Sequence, residues 1–575
     1  MPLQAISGTL GQERARHLLR RLTYGLRPGQ VEAFASLQIG DALSRLMDGL
    51  QEPAHPRLPE DPEGGMPSEY EWVTITRADT ERDHVLRSAL LRWWTGQMYR
   101  DDTALEKLAF FLHTIHTTKS ETGGSSRDLY WQNALFRRYL INDLTNTSTE
   151  FNRYTHLIAK VIVDNSMLHF LDGRLNVRGR PNENFAREMF ELFTIGKGPV
   201  RGAGDYTTYT EADIREAARV LTGWTSVNWG TPEAFEPDVA TGLPTGKARI
   251  NEDSGNATNH DNEEKIFSAS FNHTIITPMA DPPTAESMED EIRQLVEMIY
   301  NQEAAARYFI RRLYRFFVYW DVTEETEQTV IGPLAQTFMS GGYRLRPVLD
   351  ELFSSEHFFQ AAPGQGDDKF GALIKSPLEL TLGTLRYFDV EIPEINTVEH
   401  NEVMGTVIGE MEDMGLHLMN PYDVAGYEAY HQAPGYNRNW ITTNTLAERY
   451  AFIHRLLSGQ MPLVIDLLAW ADDPGSGITD TMATTAVDIN GRNYALQLVE
   501  HLAGQLLPFS DRDTAITAER YTYFGEYHLG GLEWENWVFN WQNRNGGNMD
   551  IMTDATERLK NLFNALMQSP EYQLF

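Results

Sequence analysis

Apolar residues at helical spacing recur from one end of this chain to the other. They do so in "GQERARHLLRRLTYG" (11–25), "QVEAFASLQIGDALSRLMDGL" (30–50) and, most strongly, "TALEKLAFFLHTIHTT" (103–118). The same spacing returns in "YTEADIREAARVLTGW" (209–224), "AARYFIRRLYRFFVYW" (305–320) and "LAERYAFIHRLLSG" (446–459). A period near 3.6 buries one face of a helix and cannot serve a strand. Strand-type alternation is scarce, and "TAVDINGRNYAL" (485–496) is its best example. The pattern predicts a mainly α protein, a large helical bundle-like fold with long irregular loops and at most minor β.

The breaks are also readable. "QEPAHPRLPEDPEGGMP" (51–67) is a Pro/Gly-rich loop, and residues 225–290 have no clear period. An irregular stretch that long is usually functional or disordered. "AAPGQGDD" (361–368) and "ADDPGSG" (471–477) read as linkers. We expect an N-terminal helical region over 1–360 and a C-terminal one over 369–575, packed together as one unit. "LRPVLDELFSSEHFFQ" (345–360) is echoed by "LKNLFNALMQSPEYQLF" (559–575), two helical ends each followed by Ser, Glu and an aromatic.

Charge narrows the function classes. With 49 basic against 81 acidic side chains the net charge is −32. Such a surface repels phosphate backbones and anionic lipid, so we expect no nucleic-acid partner. The absence of cysteine removes disulfides, thiolate metal sites and a cysteine nucleophile. No apolar run approaches the roughly 18 residues of a membrane helix. The first 25 residues lack an apolar signal core, which fits a cytoplasmic protein or one whose leader has been removed.

Three stretches could carry chemistry. In "RPNENFAREMFELFTIGKG" (180–198), Asn184, Arg187, Glu188 and Glu191 share one face of a short helix and Phe185, Met189 and Leu192 another. Asn182 or Asn184 suits its N-cap and Gly196 its end. Carboxylates one turn apart can share a cation. In "FFLHTIHTT", His113 and His116 stand three apart, a spacing at which imidazoles can ligate Zn, Fe, Cu or Ni. "NHDNEEKIF" (259–267) adds His260 and Asp261. A solvated stripe and hydrogen-bonded core histidines are the simpler alternatives. The tyrosine-rich "NPYDVAGYEAYHQAPGYNRNW" (420–440) could be a ring-stacking surface or packing over the core. There is no P-loop, GxSxG, HExxH or EF-hand loop.

Several stretches together carry a resemblance. They are "RHLLRRLTYG", "LHTIHTT", "MLHFLDGRLNVRGRPNENFAREMFELFTIGKG", "YTEADIREAARVLTGW", "HDNEEKIF", "FIRRLYRFFV", "KSPLEL", "VAGYEAYHQAPGYNRNWI" and the terminal "SPEYQ". On them the chain resembles the bacterial domain of unknown function 1800 family from about residue 11 to its end. That family's activity is not established. The resemblance implies a periplasmic or secreted protein acting with a partner of the domain of unknown function 1501 family. It marks His113, Asn184, Arg187, Glu188, Glu191, His260 and Asp261 among other positions. The family often has a second histidine at the position of Ile115, and some members have one at the position of Phe193.

Two functions are therefore expected. The first is an exported metal-dependent enzyme, a hydrolase or oxidoreductase, with Zn, Mn or Fe held by His113, Glu188, Glu191, His260 and Asp261. Glu188, Arg187 and Asn184 would then act on substrate, Arg187 on an anionic group. The second is a non-enzymatic extracytoplasmic binding or assembly protein with a protein, small-molecule or glycan partner.

Overall fold

The computed structural model describes residues 2–575 apart from 77–81, 148–149, 199, 203–204, 361–372, 486, 490–491, 509–517 and 530–531. Among the described residues helices dominate, and the strands form four antiparallel pairs of two or three residues each. The best sequence candidate for strand is one of these pairs, Val487–Ile489 with Arg492–Tyr494. The chain is mainly α.

The Leu105–Ile115 helix lies at the centre, and all its residues are buried. Its sequence reads as one-sided because Glu106 and Lys107 interrupt the apolar run. Both are buried because each meets an opposite charge. Glu106 accepts from Arg137 Nε and Nη2 at 2.7 Å each and from the Trp94 indole at 2.9 Å. Lys107 is paired with Glu379 and lies 5.0 Å from the ring centre of Tyr24. The helix is thus enclosed by Asp83–Arg100, Ser126–Thr145, Glu303–Phe317 and Pro377–Tyr387.

Local signals set the helix ends. Thr210 and Asp213 form the reciprocal cap that starts Glu211–Val220. The 30–50 stretch divides into Gln30–Ala35 and Ile39–Met47. Between them Leu37 accepts a backbone bond from Leu10 at 3.0 Å, so the chain pairs with the N-terminal segment instead of continuing the helix. The 345–360 and 559–575 echo is structural. After Leu345–Ser354 and Met549–Met567 the hydroxyls of Ser355 and Ser569 accept from Phe358 N and Tyr572 N.

The hydrophobic core is one cluster that runs from Ile6 to Tyr572 and draws on both expected regions. Polar ties add to it. The Arg386 guanidinium donates to the carbonyls of Gly25, Tyr99 and Asp101 at 2.7–3.1 Å. The 361–368 linker candidate lies outside the described residues. The 471–477 candidate is a packed turn, whose Ser476 carbonyl faces the His501 ring at 2.9 Å.

Removing one partner of a buried ion pair strands the other charge, at a cost of ~3–5 kcal/mol. Arg137→Met and Glu106→Leu should each lower unfolding free energy by about that much in urea titration, and the double variant should lose less than the sum.

Candidate functional site

The 180–198 stretch forms the helix that its spacing predicts. Asn182 caps it, accepting from Asn184 N at 3.0 Å and Phe185 N at 3.3 Å. Asn182 is itself held by Asn176 Oδ1, 2.8 Å from its amide nitrogen, and it donates to Leu171 O at 3.0 Å. The α-helix runs over Glu183–Glu188 and then widens into a π-helical turn, Met189–Thr194, that ends before Gly196. The wider turn carries Phe190 and Phe193 inward with Phe185 and Met189, and leaves Leu192 half-buried. Phe190 stacks between Tyr209 and Phe271, at 5.2 and 5.6 Å between ring centres. Turns of this type are frequent at functional sites; a second one, Glu327–Ile331, lies elsewhere in this chain.

The polar face is not uniform. Arg187 makes a forked pair with Glu211 at 2.6 and 2.7 Å, and Glu191 is paired with Lys197. Asn184 is exposed at the first turn. Glu188 is half-buried and has no hydrogen bond or ion pair among the described residues. Loss of water and the neighbouring Glu191 charge hold its carboxyl above the usual range, and Asp423 pushes the same way. Lys197 and Arg187 oppose that shift without cancelling it.

Asp423 brings the tyrosine-rich segment to this face. Gly426, at φ +101°, lets that segment lie against the end of the Leu105–Ile115 helix. A Cβ there would sit 2.7 Å from Thr117 Oγ1 and 3.1 Å from Thr114 O. Arg312 Nη2 donates to the same Thr114 carbonyl at 2.8 Å, and the Tyr308 hydroxyl donates to Leu192 O at 3.0 Å. Arg312 and Asp423 both act on His431, whose Nε2 is buried without a partner among the described residues. Four separated stretches, 105–118, 184–194, 308–312 and 423–431, therefore meet. Most of the tyrosine-rich segment is packing: Tyr427 and Trp440 are buried, and Tyr422 alone among its tyrosines is fully out, 90 % exposed.

The two histidines of "LHTIHTT" serve different surroundings. His113 is walled by Trp94, Phe110 and Tyr427, and its Nε2 has no hydrogen-bond partner among the described residues. His116 places Nε2 2.9 Å from the Tyr154 hydroxyl and lies against Phe136 and, from the π-helical turn, Phe193. Burial pushes the pKa of His113 down to about 4. Burial and the Arg312 charge push that of His116 to about 3.

His260 and Asp261 belong to a second polar centre. His260 is fully buried, with Nδ1 2.9 Å from Thr222 O and Nε2 3.0 Å from Glu291 Oε1. Glu291 is also paired with Lys265, and Asp261 makes a forked pair with Arg219 at 3.0 and 3.1 Å. Gly223 makes room for this loop. Its φ is +89°, and a Cβ would sit 3.1 Å from His260 N. No hydrogen bond or ion pair joins His113, Glu188 or Glu191 to His260 or Asp261 among the described residues. Nor do three or more His, Asp or Glu side chains there group so as to hold a metal ion. Both nitrogens of His260 and both oxygens of Asp261 already face protein partners. The spacing rules did not single out Arg312, Asp423, His431 or Glu291. Only the tyrosine-rich stretch drew attention to two of them.

A family described as "Protein of unknown function (DUF1800)" has a sequence model that matches residues 17–574, nearly the whole chain. No curated protein and no solved structure matches.

The buried neutral histidines give a pH test. A histidine whose folded pKa lies below its ordinary 6.5 stabilises the fold fully above pH 6.5, and that contribution is lost as pH falls towards the folded value. For His113 the loss falls between pH 6.5 and about 4 and amounts to roughly 3 kcal/mol. Asp164, raised to about 7 chiefly by burial, contributes with the opposite sign, so the whole-protein profile mixes the two. The difference between wild type and His113→Phe isolates the histidine. Thermal melts should show the variant gaining on wild type as pH drops from 6.5 to 4.

Proposed function

We propose that this chain, which belongs to the DUF1800 family, is a hydrolase whose acid–base group is Glu188. One observation carries the reading. Glu188 is a half-buried carboxylate without a partner among the described residues, on a π-helical junction, beside a second carboxylate, Glu191, that is paired with Lys197. Two neighbouring carboxyl groups in unlike settings are the arrangement that separates a proton donor from a charged partner. Burial and the adjacent charge favour the protonated form of Glu188, which can donate a proton to a leaving oxygen and take one back from water.

The neighbours have narrower roles. Arg187 is held by Glu211, so it fixes the Glu211–Val220 helix to this face and is not reserved for a substrate anion. Asn184 stands exposed at the rim and can hydrogen-bond to substrate. Arg312, seated on Thr114 O, places positive charge beneath the segment that carries Asp423 and His431. The Zn, Mn or Fe centre expected from the sequence is not part of this proposal. His260 and Asp261 are committed to Thr222, Glu291 and Arg219, where they fasten a loop. An extracytoplasmic setting is carried over from the resemblance.

A panel of chromogenic glycosides and esters tests the reading. Turnover of at least one member should fall about 100-fold or more in Glu188→Gln, within the range for loss of an acid–base group. Glu183→Gln, a change at the exposed first turn of the same helix, should leave it within about twofold of wild type. No turnover across the panel, or equal loss in both variants, contradicts the assignment.

A further inference from the structure

A cavity of about 380 Å³ opens between the Tyr154–Ile162 and Ala285–Tyr300 helices, roofed by the irregular 224–279 stretch. Its size falls in the roughly 300–1,000 Å³ range of small-molecule sites. No residue of the Glu188 face lines it. Its apolar wall comes from Phe151, Val163, Ile292, Met279 and the Trp224 ring. Trp224 is 3 % exposed, and its indole Nε1 has no hydrogen-bond partner among the described residues. A buried N–H left without an acceptor is costly unless an occupant supplies one.

The charges on the wall are unbalanced. Glu150, Glu286, Glu289 and Asp290 face Lys160 and Arg293. Both cations are already engaged: Lys160 by Asp238 at 2.5 Å, with Glu289 at 3.6 Å, and Arg293 by Asp290 and by Glu297 at 2.8 Å. Glu286 has no ion pair or hydrogen bond among the described residues. The protein adds its overall excess of negative charge. Glu286 and Glu289 stand exposed at the rim, and the excess of acidic over basic side chains there attracts cations; an indole face is the best aromatic partner for a cation.

We infer that this cavity binds a small organic ammonium with an apolar body and an oxygen acceptor. The hydrocarbon part packs on Phe151, Ile292 and Met279. The ammonium meets Glu286 and Glu289, and the acceptor takes the Trp224 N–H. The site is independent of the Glu188 reading, so either can fail alone.

The test uses three probes of one shape on the full chain: phenylalanine methyl ester, methyl 3-phenylpropionate and 3-phenylpropionate. At about pH 5.5, below the pKa of the amino ester and above that of the acid, they are respectively cationic, neutral and anionic. Calorimetry should show the cation bound at least about tenfold more tightly than the neutral ester, with the anion weakest. The Glu286→Gln/Glu289→Gln double variant should bring cation and neutral ester within about twofold of each other. Trp224→Phe should weaken both esters. Met279→Trp changes a side chain that is 54 % exposed, so it should leave the melting curve intact while it narrows the cavity and weakens binding. Equal affinity for cation and neutral ester in wild type would overturn the inference. So would no binding at millimolar concentration by a normally folded protein, or affinity unchanged in Met279→Trp.

Discussion

The central helix and the face built against its end depend on the pairing of two charges inside the core. Glu106 with Arg137 and Lys107 with Glu379 let the Leu105–Ile115 helix be surrounded on all sides. Without partners, either side chain would force that face towards water. With them, the helix becomes the post against which distant parts of the chain are positioned. Its C-terminal end presents Thr114 O to Arg312 and Thr117 to Gly426, and so fixes where the tyrosine-rich segment approaches Glu188. The Trp94 indole and Asn133 close the hydrogen-bond set around the Glu106–Arg137 pair.

The two polar centres differ in kind. Around His260 and Asp261 the side chains meet partners: Thr222, Glu291, Lys265, Arg219. That is how a buried network stabilises a loop which has no regular structure of its own. Around Glu188 the matching is incomplete. The carboxylate stands partly out of water without a partner, and His431 Nε2 is buried without one, both among the described residues. The proposed acid–base role of Glu188 rests on this incomplete matching at the meeting of four segments.

Much of the fold was legible in the sequence, because helical period and caps are local signals. Asn182, Thr210 with Asp213, and Gly196 all stand where such signals place a helix end. What was illegible depends on partners far along the chain. The one-sided reading of 103–118 fails because Glu106 and Lys107 find their counter-charges 31 and 272 residues away. The His260–Asp261 pair carries no local sign of Glu291, 31 residues on, which His260 faces. The π-helical turn has no signature that would separate it from an α-helix, so the inward shift of Phe190 and Phe193 could not be foreseen. His113 and His116 share helical spacing, yet they face different ring clusters once the neighbouring helices are in place.

The ionisation of Glu188 is the point on which the functional account turns. Isotope-edited infrared difference spectra, with ¹³C-labelled glutamate and Glu188→Gln as the blank, follow that one carboxyl through a pH titration. The Glu188 band should titrate above the ordinary glutamate range, because burial and the Glu191 charge both favour its protonated form. A carboxyl that ionises at or below the ordinary range would contradict the acid–base role.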